Sequence, residues 1–176
     1  NNINKKHGIS AFFFSYSSYI GIFSPYLSLW LNFKSFSPAE IGVLMSPMQW
    51  SRVFGPPFWG WLADSGKDPN FAKKLIAVSA LFASLISVLL FFEWTLVSLF
   101  FVFCIISFFL SGHIPITESL AMQTSRGNMG IYGKMRLWGS IGFIFSVLVG
   151  GLIFDFYGIQ YIPMALFICL ILLVFF

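Results

Sequence analysis

Six long apolar runs alternate with short polar segments along the chain, and this pattern predicts six helices that cross a membrane. We expect these helices at about residues 9–33, 41–63, 75–92, 96–122, 131–154 and 160–176. A run of about 20 apolar residues has the length with which an α-helix crosses the hydrocarbon core of a bilayer. Because lipid satisfies no backbone polar group, each run must be helical within the bilayer. The pattern therefore predicts an all-α integral membrane protein.

Two local signals predict where helices start and bend. Ser37 precedes Pro38, and Glu40 follows three residues after the serine, which is the pattern of a capping box with proline at the first helical position. The fourth predicted helix is longer than a bilayer core requires, and we expect Pro115 to bend it.

The amino-acid composition is typical of an integral membrane protein and not of a soluble domain. Of its 176 residues, 58% are hydrophobic and 9% are charged, and the mean hydropathy is +0.87. A typical soluble domain carries about 25% charged residues. The net charge of +4 is spread over short loops instead of forming a basic surface, so the sequence does not indicate nucleic-acid binding.

The basic residues indicate the orientation of the helices. With a cytoplasmic N-terminus, the predicted outer loops contain Lys34, whereas the inner loops and inner helix ends contain Lys5, Lys6, Lys67, Lys73, Lys74, Arg126, Lys134 and Arg136. By the positive-inside rule, this asymmetry predicts a multi-pass protein of the cell's inner membrane with its N-terminus in the cytoplasm.

The sequence has no pattern typical of a metal or cofactor site. Cys104 and Cys169 lie within apolar runs, without Cys-x-x-Cys or Cys/His spacing, and we expect both to be packing residues. For His113 we weigh a hydrogen-bonded packing role against a proton-handling one. We expect no metal, no cofactor and no catalytic residue.

An acid and a base lie inside the fourth and fifth predicted helices. Glu118 and Arg136 are equally far in sequence from Gly127, which lies in the short polar turn between the two runs. A turn this short makes the helices antiparallel neighbours, so the two charges enter to the same depth and can face each other. Charges inside a membrane segment cost a few kcal/mol or more and are tolerated where they meet a partner, a cavity or a substrate.

A further charge, Arg52, lies near the middle of the second predicted helix, one turn after Gln49. It has no acidic partner in its own helix, so we expect it to point to a cavity, to a substrate or to an acid on another helix such as Glu118.

Small residues recur at helical spacing in two of the predicted helices. The first contains Ser17, Gly21, Pro25 and Ser28, and the fifth contains Gly142, Ser146 and Gly150. Such faces permit close approach of helix backbones. For the first helix, lining a cavity is an equal alternative.

The segments around the charged pair resemble a known family. Pro115-Ile-Thr-Glu118 and Tyr132-Gly-Lys-Met-Arg136-Leu-Trp-Gly-Ser-Ile-Gly-Phe143 resemble the branch of the major facilitator superfamily that contains lactose permease and 3-phenylpropionate permease-like proteins. The resemblance covers essentially the whole chain. It implies the N-terminal six-helix half of a twelve-helix fold, with the C-terminal half absent, and it implies that Glu118 and Arg136 bind the substrate. Phe143 stands where lactose permease has a tryptophan that stacks on the sugar, which implies a substrate other than a galactoside.

The segment after the second helix resembles the signature loop of the same superfamily. Gly60-Trp-Leu-Ala-Asp64 matches it, although Gly66 comes one position early and Lys67 replaces a usual glycine. The basic residues are displaced to Lys73 and Lys74. The resemblance implies a conformational lock that involves Gly60, Asp64 and these two lysines.

Together these features predict a secondary transporter that couples the entry of a small organic solute to protons by alternating access. The solute is an aromatic or other carboxylate, or a sugar, and two arginines against one glutamate favour an anion. Its expected partners are solute, proton, lipid bilayer and the missing six-helix half. The alternatives are an integral-membrane enzyme, or a non-transporting six-helix membrane partner or dimerising half-size unit. Because the last apolar run has no closing polar residues, we interpret the sequence as a truncated polypeptide.

Overall fold

The computed structural model describes residues 2–68 and 70–175, and all regular structure in these ranges is helical. The helices are α1 Asn2–Phe33, α2 Pro38–Ser65, α3 Phe71–Ser87, α4 Leu96–Leu110, α5 His113–Ser125, α6 Met129–Tyr157 and α7 Ile162–Val174. Short 3-10 turns follow α3 at Val88–Phe91 and precede α7 at Ile159–Tyr161. The absence of strands from the described ranges agrees with the predicted all-α class. The predicted end of the last helix at Phe176 lies outside the described residues.

Within the described ranges, three stretches are long and apolar enough to cross a membrane, namely Phe71–Phe91, Leu96–Ser125 and Met129–Tyr157, and Ile159–Val174 is a shorter apolar helix. The helices α1 and α2 have 32 and 28 residues and so have sufficient length. Their mean hydropathy is lower, because α1 is rich in serine and tyrosine and α2 contains Gln49, Arg52 and the internal prolines Pro47, Pro56 and Pro57. Six membrane spans therefore stay a prediction.

The start of α2 is the predicted capping box. The Ser37 hydroxyl accepts a hydrogen bond from the Glu40 backbone N–H at 3.3 Å, and the Glu40 carboxylate accepts one from the Ser37 N–H at 2.7 Å. These bonds satisfy two backbone donors that a helix start otherwise leaves unpaired. They also hold the pKa of Glu40 below its usual value.

The fourth apolar run forms two helices, α4 and α5, which are separated at Ser111–Gly112. Pro115, where we expected a bend, follows one turn later and has no N–H for the carbonyl of Ser111. A side chain on Gly112 would overlap Trp59 of α2, and the Trp59 indole donates a hydrogen bond of 2.8 Å to the Phe108 carbonyl. Proline and the close approach of α2 together explain why the helix is interrupted here.

The most extensive helix contact joins α1 to α6, and the predicted small-residue faces form it. A Cβ added to Gly21 would overlap Ser146, and one added to Gly142 would overlap the Phe14 backbone. The Ser18 hydroxyl donates to the Gly142 carbonyl at 3.2 Å. Around Ser18 and Gly21, the small-residue face of α1 therefore packs closely against α6 and does not line a cavity.

Candidate functional site

Glu118 of α5 and Arg136 of α6 are brought together by the structure. An Nη atom of Arg136 lies 3.3 Å from Oε1 of Glu118, and the side chains are 47% and 36% exposed respectively. The Arg136 guanidinium carbon also lies 5.4 Å from the centre of the Phe13 ring on α1, a distance typical of a cation–π contact. A single N···O contact joins the pair, and both side chains are partly uncovered in the described chain.

The turn between α5 and α6 positions this pair. Arg126 and Gly127 have φ angles of 52° and 76°, in the left-handed region that ends helices. The Asn128 side chain then accepts hydrogen bonds from the Gly130 and Ile131 N–H groups and caps α6. The reversal is complete within three residues, so the partners lie at matching depths.

Arg52 forms no ion pair with Glu118 in the described chain and lines a cavity with a volume of about 330 Å³. The nearest polar partner of its guanidinium is Oε1 of Gln49, at 3.5 Å on the same helix. Among the described residues, no carboxylate lies within 4.0 Å of Arg52, so the expected alternative of an ion pair with Glu118 is not formed. The lining comes from α1, α2, α4 and α5 and consists of Tyr16, Tyr19, Ile20, Met48, Ser51, Arg52, Pro56, Ser107, Leu110, Ser111, Ile114 and Pro115.

Phe143 lies on α6 two turns beyond Arg136, which places both residues on one face of the helix. Its side chain is 40% exposed and does not line the Arg52 cavity. The structure therefore brings Glu118 and Arg136 together, keeps Phe143 on the same face of α6, and separates all three from Arg52.

Gly60 and Asp64 line a second cavity of about 340 Å³ at the end of α2. Asp68 from the following loop and Ser119 and Gln123 of α5 line the same cavity. A Cβ at Gly60 would meet no atom within 4 Å, so packing does not demand glycine there. This cavity brings two carboxylates next to α5.

The two lysines of the expected lock lie in different surroundings. Lys74 pairs with Asp68 at 2.6 Å, and its ammonium, together with the Asn70 N–H, lowers the pKa of the Asp68 carboxyl. Lys73 lines a crevice of about 20 Å³ beside Thr117. Neither lysine forms an ion pair with Asp64 in the described chain.

His113 is fully buried and stacks on two aromatic rings of α1, with ring centres 5.8 Å from Phe12 and 6.0 Å from Tyr16. Its ring nitrogens and the Thr117 hydroxyl have no hydrogen-bond partner among the described residues. The packing role that we expected for His113 is present, but the hydrogen bond expected with it is not.

Two tyrosines that the sequence pattern did not single out line the same cavity as Arg52. Tyr16 and Tyr19 are one turn apart on α1, and both line the Arg52 cavity. The available signal was a pair of aromatic hydroxyls at helical spacing in an apolar run, which is a weak signal because tyrosine is common at helix interfaces.

The known proteins that resemble this chain in sequence are transporters. A probable 3-phenylpropionic acid transporter of Escherichia coli (strain K12) is 32% identical over 152 residues, which are 85% of this chain and 38% of that protein. A maltose permease of Geobacillus stearothermophilus is 30% identical over 82% of this chain and 36% of that protein. An uncharacterized transporter of Bacillus subtilis (strain 168) is 28% identical over 74% of this chain and 32% of that protein. The chain thus spans less than two-fifths of the length of these relatives.

No solved structure matches the chain. The model of the MFS_1 like family matches residues 7–176. This match agrees with the apolar helices of a membrane-embedded protein and with the resemblance noted around Glu118 and Arg136. The chain therefore belongs to the MFS_1 like family of major facilitator transporters.

Proposed function

We propose that the protein is a secondary active transporter of the inner membrane that carries a small organic solute together with protons. The two halves of such a fold rock about a central site, so that this site is open to one side of the membrane at a time. The solute is an aromatic or other carboxylate, or a sugar. The N-terminus lies in the cytoplasm.

The observation that supports this proposal best is the accessible ion pair between Glu118 and Arg136. Each charge is about two turns inside an apolar helix, yet the contact is single and its side chains are partly exposed. A structural ion pair in a membrane would have its polar atoms enclosed and fully hydrogen-bonded, because unsatisfied charge is costly there. An ion pair that can separate and form again could bind a solute reversibly, as a transporter must.

The proposed roles follow from the chemistry of the two side chains. The planar guanidinium of Arg136 presents a fork of donors and would bind oxygen atoms of the solute. The Glu118 carboxylate would hold Arg136 between transport cycles. At the end of α2, Asp64 would help to close one face of the protein, with Gly60, Lys73 and Lys74 in the same lock.

Proton-driven uptake tests the proposal. In right-side-out membrane vesicles that contain the protein, an outside pH one unit lower supplies about 1.4 kcal/mol per proton, enough for about tenfold accumulation by one-proton symport. We expect labelled 3-phenylpropionate or maltose to accumulate under this gradient, and we expect a protonophore to abolish the accumulation.

Vesicles from cells without the protein are the control. Uptake that is specific to the protein but equal with and without the gradient would rule out proton coupling. A panel of carboxylates and sugars that all enter no faster than in the control vesicles would overturn the transport function.

A further inference from the structure

We infer that the Arg52 cavity binds the carboxylate of a small monocarboxylic acid with an apolar body. This inference rests on the proposed transport function and deepens it. It assigns the negative charge of the solute to Arg52 rather than to Arg136, and it favours an acid over a sugar.

The first argument is the balance of charge. Arg136 has the Glu118 carboxylate at 3.3 Å, which offsets its charge. Arg52 has only the neutral Gln49 amide oxygen at 3.5 Å, and no carboxylate within 4.0 Å in the described chain. An anion at Arg52 would therefore meet no competing carboxylate among the described residues, whereas one at Arg136 would compete with Glu118.

The second argument is the supply of hydrogen-bond donors around Arg52. Tyr16 and Tyr19 line the same cavity as Arg52. On α1, the side chains of Ser18 and Tyr26 bond to α6, whereas the two tyrosine hydroxyls at the cavity form no hydrogen bond to a described residue. They are therefore available to a ligand.

Two of the remaining hydroxyls of the lining already donate their protons to backbone carbonyls, which leaves their oxygens as neutral acceptors. Ser51 already donates to the Met48 carbonyl at 3.0 Å, and Ser111 donates to the Phe108 carbonyl at 2.7 Å. The described lining contains no carboxylate. An ionised carboxylate only accepts hydrogen bonds, so the positive charge of Arg52 and the hydroxyl donors of Tyr16 and Tyr19 match it, and the described lining has no acidic group to repel it.

The third argument is the apolar remainder of the lining. Half of the lining residues have side chains without polar hydrogen-bonding groups, namely Ile20, Met48, Pro56, Leu110, Ile114 and Pro115. The volume of about 330 Å³ lies at the small end of the range for small-molecule sites. A charged head at Arg52 and a compact apolar body, such as a phenyl ring, would fill this space.

Direct binding tests the inference independently of transport. A ligand that binds the folded protein raises its unfolding temperature, so purified protein in detergent can be titrated with 3-phenylpropionate, 3-phenylpropanamide and maltose. We expect the acid to protect the wild-type protein, and we expect the neutral amide and the sugar to give no protection at the same concentrations. Arg52→Gln should weaken binding of the acid by about tenfold or more, because it removes a charge-assisted contact.

Two further variants control for misfolding of Arg52→Gln and for a general effect of removing a positive charge. Tyr16→Phe removes one hydroxyl and leaves the ring, and should weaken binding of the acid by about threefold even if Arg52→Gln does not fold. Arg126→Gln removes a positive charge from the α5–α6 turn, outside the cavity, and should leave the affinity unchanged.

Protection by maltose and not by the acid would overturn the inference and leave the transport function standing. The inference also fails if the preference for acid over amide persists in Arg52→Gln or disappears in Arg136→Gln. Binding of the acid through Arg52, without uptake into vesicles, would support the cavity assignment and count against transport.

Discussion

At the scale of single residues, the distinction between the two arginines matters most. Arg136 is paired with Glu118 and half exposed, whereas Arg52 lines a cavity and has no carboxylate within 4.0 Å in the part of the chain that the structure describes. In the function that we propose, Glu118 and Arg136 bind the solute when the two side chains separate.

Exchanging Arg136 for lysine tests this view of the pair. Lysine keeps the positive charge but loses the planar fork of donors, so we expect uptake to fall by about tenfold or more while the unfolding temperature changes by only a few degrees. Uptake into vesicles and thermal unfolding in detergent measure the two effects. Near-normal uptake by Arg136→Lys would reassign Arg136 to packing.

At the scale of helices, the close contact of α1 with α6 positions the helix that carries Arg136. Glycine and serine allow the two backbones to come close enough for the Ser18 hydroxyl to reach the Gly142 carbonyl, 124 residues away in sequence. In lipid, van der Waals packing and such hydrogen bonds replace the hydrophobic driving force between helices. Any added bulk on this face must separate the helices.

Two glycines of α6 provide a matched comparison. Gly142→Ala places a Cβ against the Phe14 backbone and should destabilise the protein by about 1–3 kcal/mol. Gly133→Ala meets no atom within 4 Å and should stabilise α6 by about 0.5–1 kcal/mol, since alanine favours helix over glycine. Thermal unfolding of both variants measures the difference. Equal effects at the two positions would show that close packing at Gly142 does not matter.

At the scale of the whole molecule, the loops fall into two groups at opposite ends of the bundle. Lys34, after α1, pairs with Glu93, before α4, at 2.6 Å. At the other end, Asp64 and Asp68 share a cavity with Gln123 near the end of α5. The first four apolar runs, the fourth of which comprises α4 and α5, therefore run in alternating directions.

Labelling of single cysteines tests the proposed orientation. In a variant whose Cys104 and Cys169 are replaced by alanine, we introduce Ser35→Cys at one end or Lys67→Cys at the other. A membrane-impermeant maleimide should label Ser35→Cys in intact cells and Lys67→Cys only after permeabilisation, because basic loops stay inside. The reverse pattern would invert the orientation, and labelling of both in intact cells would contradict the arrangement across a membrane.

The sequence by itself determined the features that depend on local pattern or on a short connection. Apolar runs required helices, and Ser37 and Glu40 predicted the capping box with which α2 begins. The charges of Glu118 and Arg136 could be predicted to meet, because a turn of a few residues forces α5 and α6 to be neighbours and equal spacing sets equal depth.

The tertiary structure alone decided how helices that are distant in sequence meet. Arg52 could have paired with Glu118, yet it lies with Tyr16 and Tyr19 on a separate cavity. The break between α4 and α5 likewise depends on Trp59 of α2 packing against Gly112. Periodicity shows which residues share a helix face, but the rotation and crossing of non-adjacent helices follow from the summed side-chain packing of all the helices, which no single segment contains.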